Sequence, residues 1–330
     1  MPNLDPSKVK DLYFNDKQGV YIPPDPYTLR FRFSDKSFDP RSVAWGSGFK
    51  GTWKPYMPSK GLWDWTFENS SWADCFWLRL QDQYIGAGNT VKIVGYGDLS
   101  GVTSATRMFG DCHNLTQVTN LYFPSCTGMG LMFENCTELL EIPRFDTSHM
   151  TSLLYAFKGC TRLKYVPLLD TSNVTQFGYM FAGCTSLQVV PAFDTSKATS
   201  MGNMFDGCTA LKSVPAFDTK NVTLISEMFR NCSSLESTPL FDTRNVAYMD
   251  RMYQGCTVLD SIPTFRYDKK PTMNGTFKNC LNCASGQYNN YVAANAAGVT
   301  YHTETFYRCG YNSESGNQEL NQIPYSWKYE

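Results

Sequence analysis

Residues 160–183 read CTRLKYVPLLDTSNVTQFGYMFAG, and the stretches that begin at Cys184, Cys208 and Cys232 follow the same plan. Cysteine returns every 24 residues, at Cys112, Cys136, Cys160, Cys184, Cys208, Cys232, Cys256 and Cys280. A period held this long is the signature of a solenoid, in which each repeat buries its apolar face only against its neighbours. The functional question then moves from a single cleft to a long repetitive surface.

Each column of the repeat has a physical role. Val174, Phe177, Met180, Phe181 and Cys184 fall within an arc of about 120° at 100° per residue, which predicts a short amphipathic helix. Before each cysteine stand Asp111, Asn135, Gly159, Gly183, Gly207, Asn231, Gly255 and Asn279, residue types that tolerate the left-handed conformation ending a helix. The pairs Asp146-Thr147, Asp170-Thr171, Asp194-Thr195, Asp218-Thr219 and Asp242-Thr243 read as caps for orphan N–H groups; a calcium-gathering ladder is the alternative. Leu163, Val166 and Leu169 are spaced by three, and Pro167, Pro191, Pro215, Pro239 and Pro263 remove ladder donors. That pattern excludes a long alternating strand and predicts a very short parallel one around residues 187–190. One short strand and one short helix per 24-residue coil make an α/β solenoid of leucine-rich-repeat-like architecture.

The cysteine column reads as buried free thiols, since stacked equivalents sit roughly 5 Å apart and cysteine there acts as a small apolar residue. Disulfides and metal are the alternatives, and a straight row of thiols does not surround a tetrahedral ion. The Met-Phe pairs such as Met180-Phe181 and Met204-Phe205 read as core.

Outside the repeats the composition changes. Six of seven tryptophans, Trp45, Trp53, Trp63, Trp65, Trp72 and Trp77, precede Cys112. They predict an aromatic-rich, β-containing N-terminal cap over residues 28–100, with strands at Leu29–Phe33 and Val91–Val94. Trp63 and Trp65 are candidates for an exposed sugar-stacking platform. Residues 1–27, with Pro23-Pro24-Asp25-Pro26, read as an extended arm suited to docking. The solenoid spans 101–283. Residues 284–330 hold a diverged last coil, restarting at Thr305-Phe306-Tyr307-Arg308-Cys309, and a C-terminal cap. Leu320, Ile323 and Pro324 resemble that coil's strand, and the polar insertion Gly310–Asn317 is expected to project as a loop.

With 29 basic and 30 acidic residues there is no electrostatic footprint for nucleic acid or an anionic membrane. The start, Met1-Pro2-Asn3-Leu4-Asp5-Pro6, has neither a basic n-region nor an apolar h-region, so a product made in the cytoplasm is expected. No Ser-His-Asp, HExxH, Walker or GxGxxG pattern stands in its required surroundings, and neither cofactor nor metal is expected. Asp64 and Glu68 among Trp63, Trp65 and Trp72 could form a glycosidase-like carboxylate pair; glycan hydrolysis is the least favoured reading.

With DTSNVT at 170–175 and MFAGCTSL at 180–187 in a period of 24, the chain closely resembles the BspA-like leucine-rich repeats of mycoplasma and gut Bacteroidetes surface proteins. The flanks, including Trp63-Asp64-Trp65 and Gly97–Ser104, look like proteins of the same repeat type encoded by gut bacteriophages and their Bacteroidales hosts. The resemblance implies a binding protein, not an enzyme. It implies a structural and recognition component of a bacteriophage virion, attached to other virion proteins through the arm and cap, with a bacterial cell-surface adhesin as the alternative. Binding to a host surface protein or glycan is then expected on columns that vary between coils: Lys164, Gln188, Lys212 and Glu236 on the strand side, with Tyr165 and Val189 beside them, and Tyr179, Asn203, Glu227 and Arg251 on the helix side. A homo-oligomer is compatible with this reading.

Overall fold

A computed structural model describes residues 28–37, 39–42, 51–60, 62–67, 90–93, 97–99, 102–118, 121–142 and 145–329. The expected arm at 1–27, the carboxylate Glu68, Trp72 and the side chains of Trp63 and Trp65 lie outside what is described.

The repeat closes through turns, not through a helix. From Phe177 to Cys184, the N–H groups of Met180, Ala182 and Cys184 donate three residues back, to Phe177, Tyr179 and Phe181. The interleaved N–H groups of Phe177, Tyr179, Phe181 and Gly183 donate to the next coil, to the carbonyls of Ser200, Gly202, Met204 and Asp206. From Tyr179 to Cys184 alternate amides therefore serve the neighbouring coil and their own, and every donor in those six residues is used. This corrects the expectation of one short helix per coil. A helix would spend every interior amide on itself, whereas the turn ladder commits half of them to holding adjacent coils together.

The first and last of these turns have φ > 0 at their third residue, Tyr179 and Gly183. Two columns supply it: Asp111, Asn135, Gly159, Gly183, Gly207, Asn231, Gly255 and Asn279, as the sequence suggests, and a second column that it does not. Arg107, Leu131, Tyr155, Tyr179, Asn203, Glu227, Arg251 and Glu304 all adopt φ between 52° and 60°, at about 1–2 kcal/mol each for a residue with a Cβ.

The expected strand at 187–190 is also corrected. There the coils share single bonds, such as Gln188 N–H to the Lys164 carbonyl at 3.2 Å and Glu236 N–H to Lys212 at 2.9 Å. The neighbouring proline and the three-residue apolar spacing leave no room for more. Parallel pairing instead follows one residue per coil, through Ser104, Gly128, Ser152, Gln176, Ser200, Leu224, Tyr248 and Thr272.

At the N-terminal end a five-stranded sheet runs in the order β2 (Gly51–Met57), β3 (Leu62–Phe67), β1 (Thr28–Phe33), β4 (Val91–Ile93), β6 (Leu115–Val118). The first four are joined antiparallel, and β4 then pairs parallel with β6, so the sheet passes directly into the first cysteine-headed coil. The short strands β5 (Gly97–Asp98) and β7 (Leu121–Tyr122) pair beside it.

The core is a stack of identical layers. Phe109, Phe133, Phe157, Phe181, Phe205, Phe229, Tyr253, Phe277 and Phe306 form one continuous ring ladder with centroids 5.3–5.9 Å apart. Phe193, Phe217, Phe241 and Phe265 flank it at 6.1–6.3 Å. The described cysteines are buried thiols and form no disulfide among the described residues. From Cys136 to Cys280 each thiol of the ladder donates to the carbonyl 27 residues earlier, as in Cys184 to Phe157 and Cys208 to Phe181, both at 3.1 Å. Burial raises the thiols of Cys136, Cys160, Cys184, Cys208, Cys232 and Cys256, that of Cys184 to about 12, so their reactive thiolates are absent at ordinary pH. The described cysteines are accordingly expected to stay unlabelled by maleimide at pH 8 in the native protein and to label fully in denaturant; mass spectrometry of the native reaction checks this.

The Asp-Thr pairs cap turns. Asp146, Asp170, Asp194, Asp218 and Asp242 each accept from the N–H two residues on, at 2.9–3.2 Å. The buried threonines Thr171, Thr195 and Thr219 donate to the carbonyls of Asp194, Asp218 and Asp242 in the next coil. Capping is thus the role of the carboxylates, with turns in place of the expected helices.

The last coil exists as expected, since Met273, Gly275, Phe277 and Asn279 donate to Tyr301, Thr303, Thr305 and Tyr307. Three helices close the end: α1 (Gln287–Ala297), α2 (Glu314–Asn321) and α3 (Ser326–Tyr329). Leu320 therefore lies in a helix, not a strand. The insertion at 310–317 is packed rather than projecting: a Cβ on Gly316 would stand 2.0 Å from the Cys283 carbonyl oxygen, and Ser313 caps α2 at Gly316 N–H. The polar composition that suggested a loop serves as helix cap and helix surface.

Trp327 seals the last layer against Phe306, with the His302 ring stacked on it at 3.9 Å. His302 Nδ1 is buried without a partner, and burial holds the imidazole below its ordinary 6.5. Because the unfolded chain binds this proton more readily, stability is full above about pH 6.5 and is lost as pH falls through the lowered folded value. Melting temperatures at pH 7.5 and 5 are expected to differ more for the native sequence than for His302→Gln.

Candidate functional site

The turn face carries the helix-side candidates, and they are engaged with one another. Tyr179 stacks on Tyr155 at 4.6 Å. Asn203, only 8% exposed, donates to Glu227 at 2.8 Å. Glu227 also meets Arg230 at 2.6 Å and Arg251 at 3.2 Å, while Arg230 grips Asp206 through two bonds. Further along, Lys158 pairs with Glu134 at 3.1 Å and Lys278 with Glu304 at 2.5 Å. Apart from the Glu227–Arg230 pair within one coil, these contacts act across coils and offset the strain of the left-handed column. Tyr179, Asn203 and Glu227 are thereby structural members of a lengthwise zipper, with Arg251 the most exposed of the four.

The opposite edge, after each cysteine, is different. Lys164, Gln188, Lys212 and Glu236 are all exposed, and their contacts are light: Lys212 to Glu236 at 3.5 Å and Tyr165 hydroxyl to Gln188 at 3.1 Å. Exposed ion pairs of this kind contribute about 0–1 kcal/mol, so these side chains are available to a partner. Beside them the coils hold out large apolar groups: Leu140 is 44% exposed, Tyr165 55%, Leu168 54% and Val189 51%. In later coils the positions of Tyr165 and Val189 carry Ser213, Ser237 and Ser261. An open cleft of about 460 Å³ lies between the coils headed by Cys136 and Cys160, lined by Leu140, Ile142, Arg162, Lys164, Tyr165 and Pro167.

Leu140, Arg162 and Leu168 are not among the residues picked out by sequence variation, although the signal was present as large apolar residues in outward columns. Trp63 and Trp65 lie in β3, with Trp65 opposite Trp53 and Leu29, and Trp63 opposite Pro55 and Phe31. Asp64 is placed between them in the strand.

Stacked 24-residue coils, a continuous core and an apolar outward edge define, among the described residues, a repeat solenoid with a long accessible surface. A family model described as "Mycoplasma protein of unknown function, DUF285" matches residues 103–213, 127–238 and 188–291. These matches run together over more than half of the 330 residues, and the chain belongs to this family of repeat proteins. The crystal structure of the T. pallidum leucine-rich repeat protein TpLRR is similar at 16% identity and a TM-score of 0.37, covering 73% of this chain and 92% of that one. No curated protein matches.

Proposed function

We propose that this protein is a non-enzymatic recognition component that attaches to a host surface protein through the outward edge formed by Leu140, Tyr165, Leu168 and Val189. The observation that carries this reading is the exposure of these apolar side chains in neighbouring coils, beside a cleft rimmed by Arg162 and Lys164. Apolar and aromatic anchors surrounded by polar residues are the usual centre of a protein interface. The resemblance of the flanks to phage-encoded repeat proteins favours display on a bacteriophage particle, with the N-terminal unit towards the particle.

The test is adhesion of the purified protein to Bacteroidales cells, with Tyr165→Asp and Leu168→Asp combined. Binding is expected to weaken at least about tenfold while the melting temperature holds, and to disappear when the cells are treated with protease. Undiminished binding by the folded double variant would overturn the reading. Peptide mapping of purified particles decides the setting: the protein in fixed stoichiometry supports the virion, and its recovery on uninfected cells supports an adhesin instead.

A further inference from the structure

The exposed large hydrophobic side chains change in kind along the molecule. Between residues 140 and 189 they are mainly leucine and valine, with one tyrosine. After residue 300, among the described residues, they are tyrosine alone: Tyr301, Tyr311, Tyr325 and Tyr329. Two of these join Tyr307 in a cluster. Tyr325 and Tyr329 lie 4.6 Å apart between centroids, and Tyr329 meets Tyr307 edge-on at 5.7 Å.

The cluster is held rigidly. The Tyr325 carbonyl accepts from the Lys328 and Tyr329 N–H groups at 2.9 and 3.0 Å, and Lys328 Nζ reaches the Leu320 carbonyl at 3.3 Å. Between Tyr325 and Tyr329 the neighbouring Trp327 is buried as the seal of the last coil. On the other side Lys278 sits 5.3 Å above the Tyr307 ring and is paired with Glu304. Despite these constraints Tyr325 stays 64% exposed and Tyr329 49%. Burying two such rings would have been favourable, and the chain instead anchors the intervening tryptophan and leaves the tyrosines outside.

We propose that Tyr307, Tyr325 and Tyr329 form a binding platform for a neutral pyranose glycan. Aromatic rings with hydroxyl tips offer flat faces to the C–H groups of a sugar ring, and polar atoms to its hydroxyls. Lys278 and Glu304 lie at the edge with donors and acceptors whose charges compensate, which suits an uncharged ligand. The platform stands at the C-terminal end, separate from that edge, and does not depend on its reading.

The test titrates the full-length protein with linear hexaoses of glucose, galactose and mannose, read by saturation-transfer NMR and calorimetry. At least one is expected to bind, with transfer concentrated on the sugar C–H face. Tyr325→Ala with Tyr329→Ala should weaken that affinity by about tenfold or more at unchanged melting temperature. Tyr325→Phe with Tyr329→Phe should retain most of it, and Tyr165→Asp with Leu168→Asp should leave it intact. Absence of transfer from all three hexaoses would overturn the proposal, as would equal affinity in the folded alanine double variant.

Discussion

Replacing Phe181 by alanine is expected to destabilise the protein by about 3–5 kcal/mol. Its ring is fully buried and lies 5.7 Å from Phe157, 5.8 Å from Phe205 and 6.2 Å from Phe193. The cavity left behind cannot collapse easily, because both neighbouring layers are fixed by inter-coil hydrogen bonds on either side of the ring: Phe157 N–H to Met180 and Phe181 N–H to Met204. In a quasi-one-dimensional stack the loss falls on one nearest-neighbour interface. Urea unfolding should therefore separate into two transitions as the halves before and after residue 181 decouple, departing from two-state behaviour. A loss under about 1 kcal/mol with a single unchanged transition would show that the ring ladder is not the structural axis.

The second large effect is expected at the C-terminal closure. Gly286 has φ 101°, and a Cβ there would meet the Ile262 carbonyl oxygen at 2.1 Å. Its N–H and that of Tyr288 are both accepted by Glu319, at 3.0 and 3.1 Å, so a carboxylate from α2 caps the start of α1. Asn290, wholly buried, then ties α1 to the preceding coil by accepting from Phe265 N–H and the Tyr267 hydroxyl and donating to the Pro263 carbonyl. Gly286→Ala combines backbone strain with overpacking, for about 2–5 kcal/mol. The damage should be local: hydrogen exchange is expected to quicken from about residue 259 onwards while the coils headed by Cys136 to Cys208 keep their protection. Uniform acceleration along the chain would contradict a modular stack.

Much of this was legible in the sequence. The period placed every coil, and Leu163, Val174, Phe177, Met180, Phe181 and Cys184 are buried as their columns suggest. The glycine and asparagine column was recognisable as left-handed because those residue types favour it. What misled was the apolar spacing at 177, 180, 181 and 184, which a helix and a ladder of turns satisfy equally well. The missing information was the destination of the amides: whether Tyr179 N–H bonds within its own coil or to the next is a tertiary fact. For the same reason a left-handed tyrosine, glutamate or arginine at 179, 227 or 251 was not readable, since its strain is offset by neighbours 24 residues away. The variable columns of the turn face looked free for that reason too, although variation there reflects partners that differ from coil to coil. On the opposite edge Leu140 and Leu168 went unnoticed because leucine in a leucine-rich repeat reads as core.

The turn ladder itself is the central claim, and scalar couplings across hydrogen bonds measure it most directly. In a deuterated, amide-labelled sample the nitrogen of Tyr179 is predicted to couple to the carbonyl carbon of Gly202, and that of Phe181 to Met204. Couplings from these nitrogens to carbonyls four residues earlier in the same coil, at Thr175 and Phe177, would mean helices and would contradict the account.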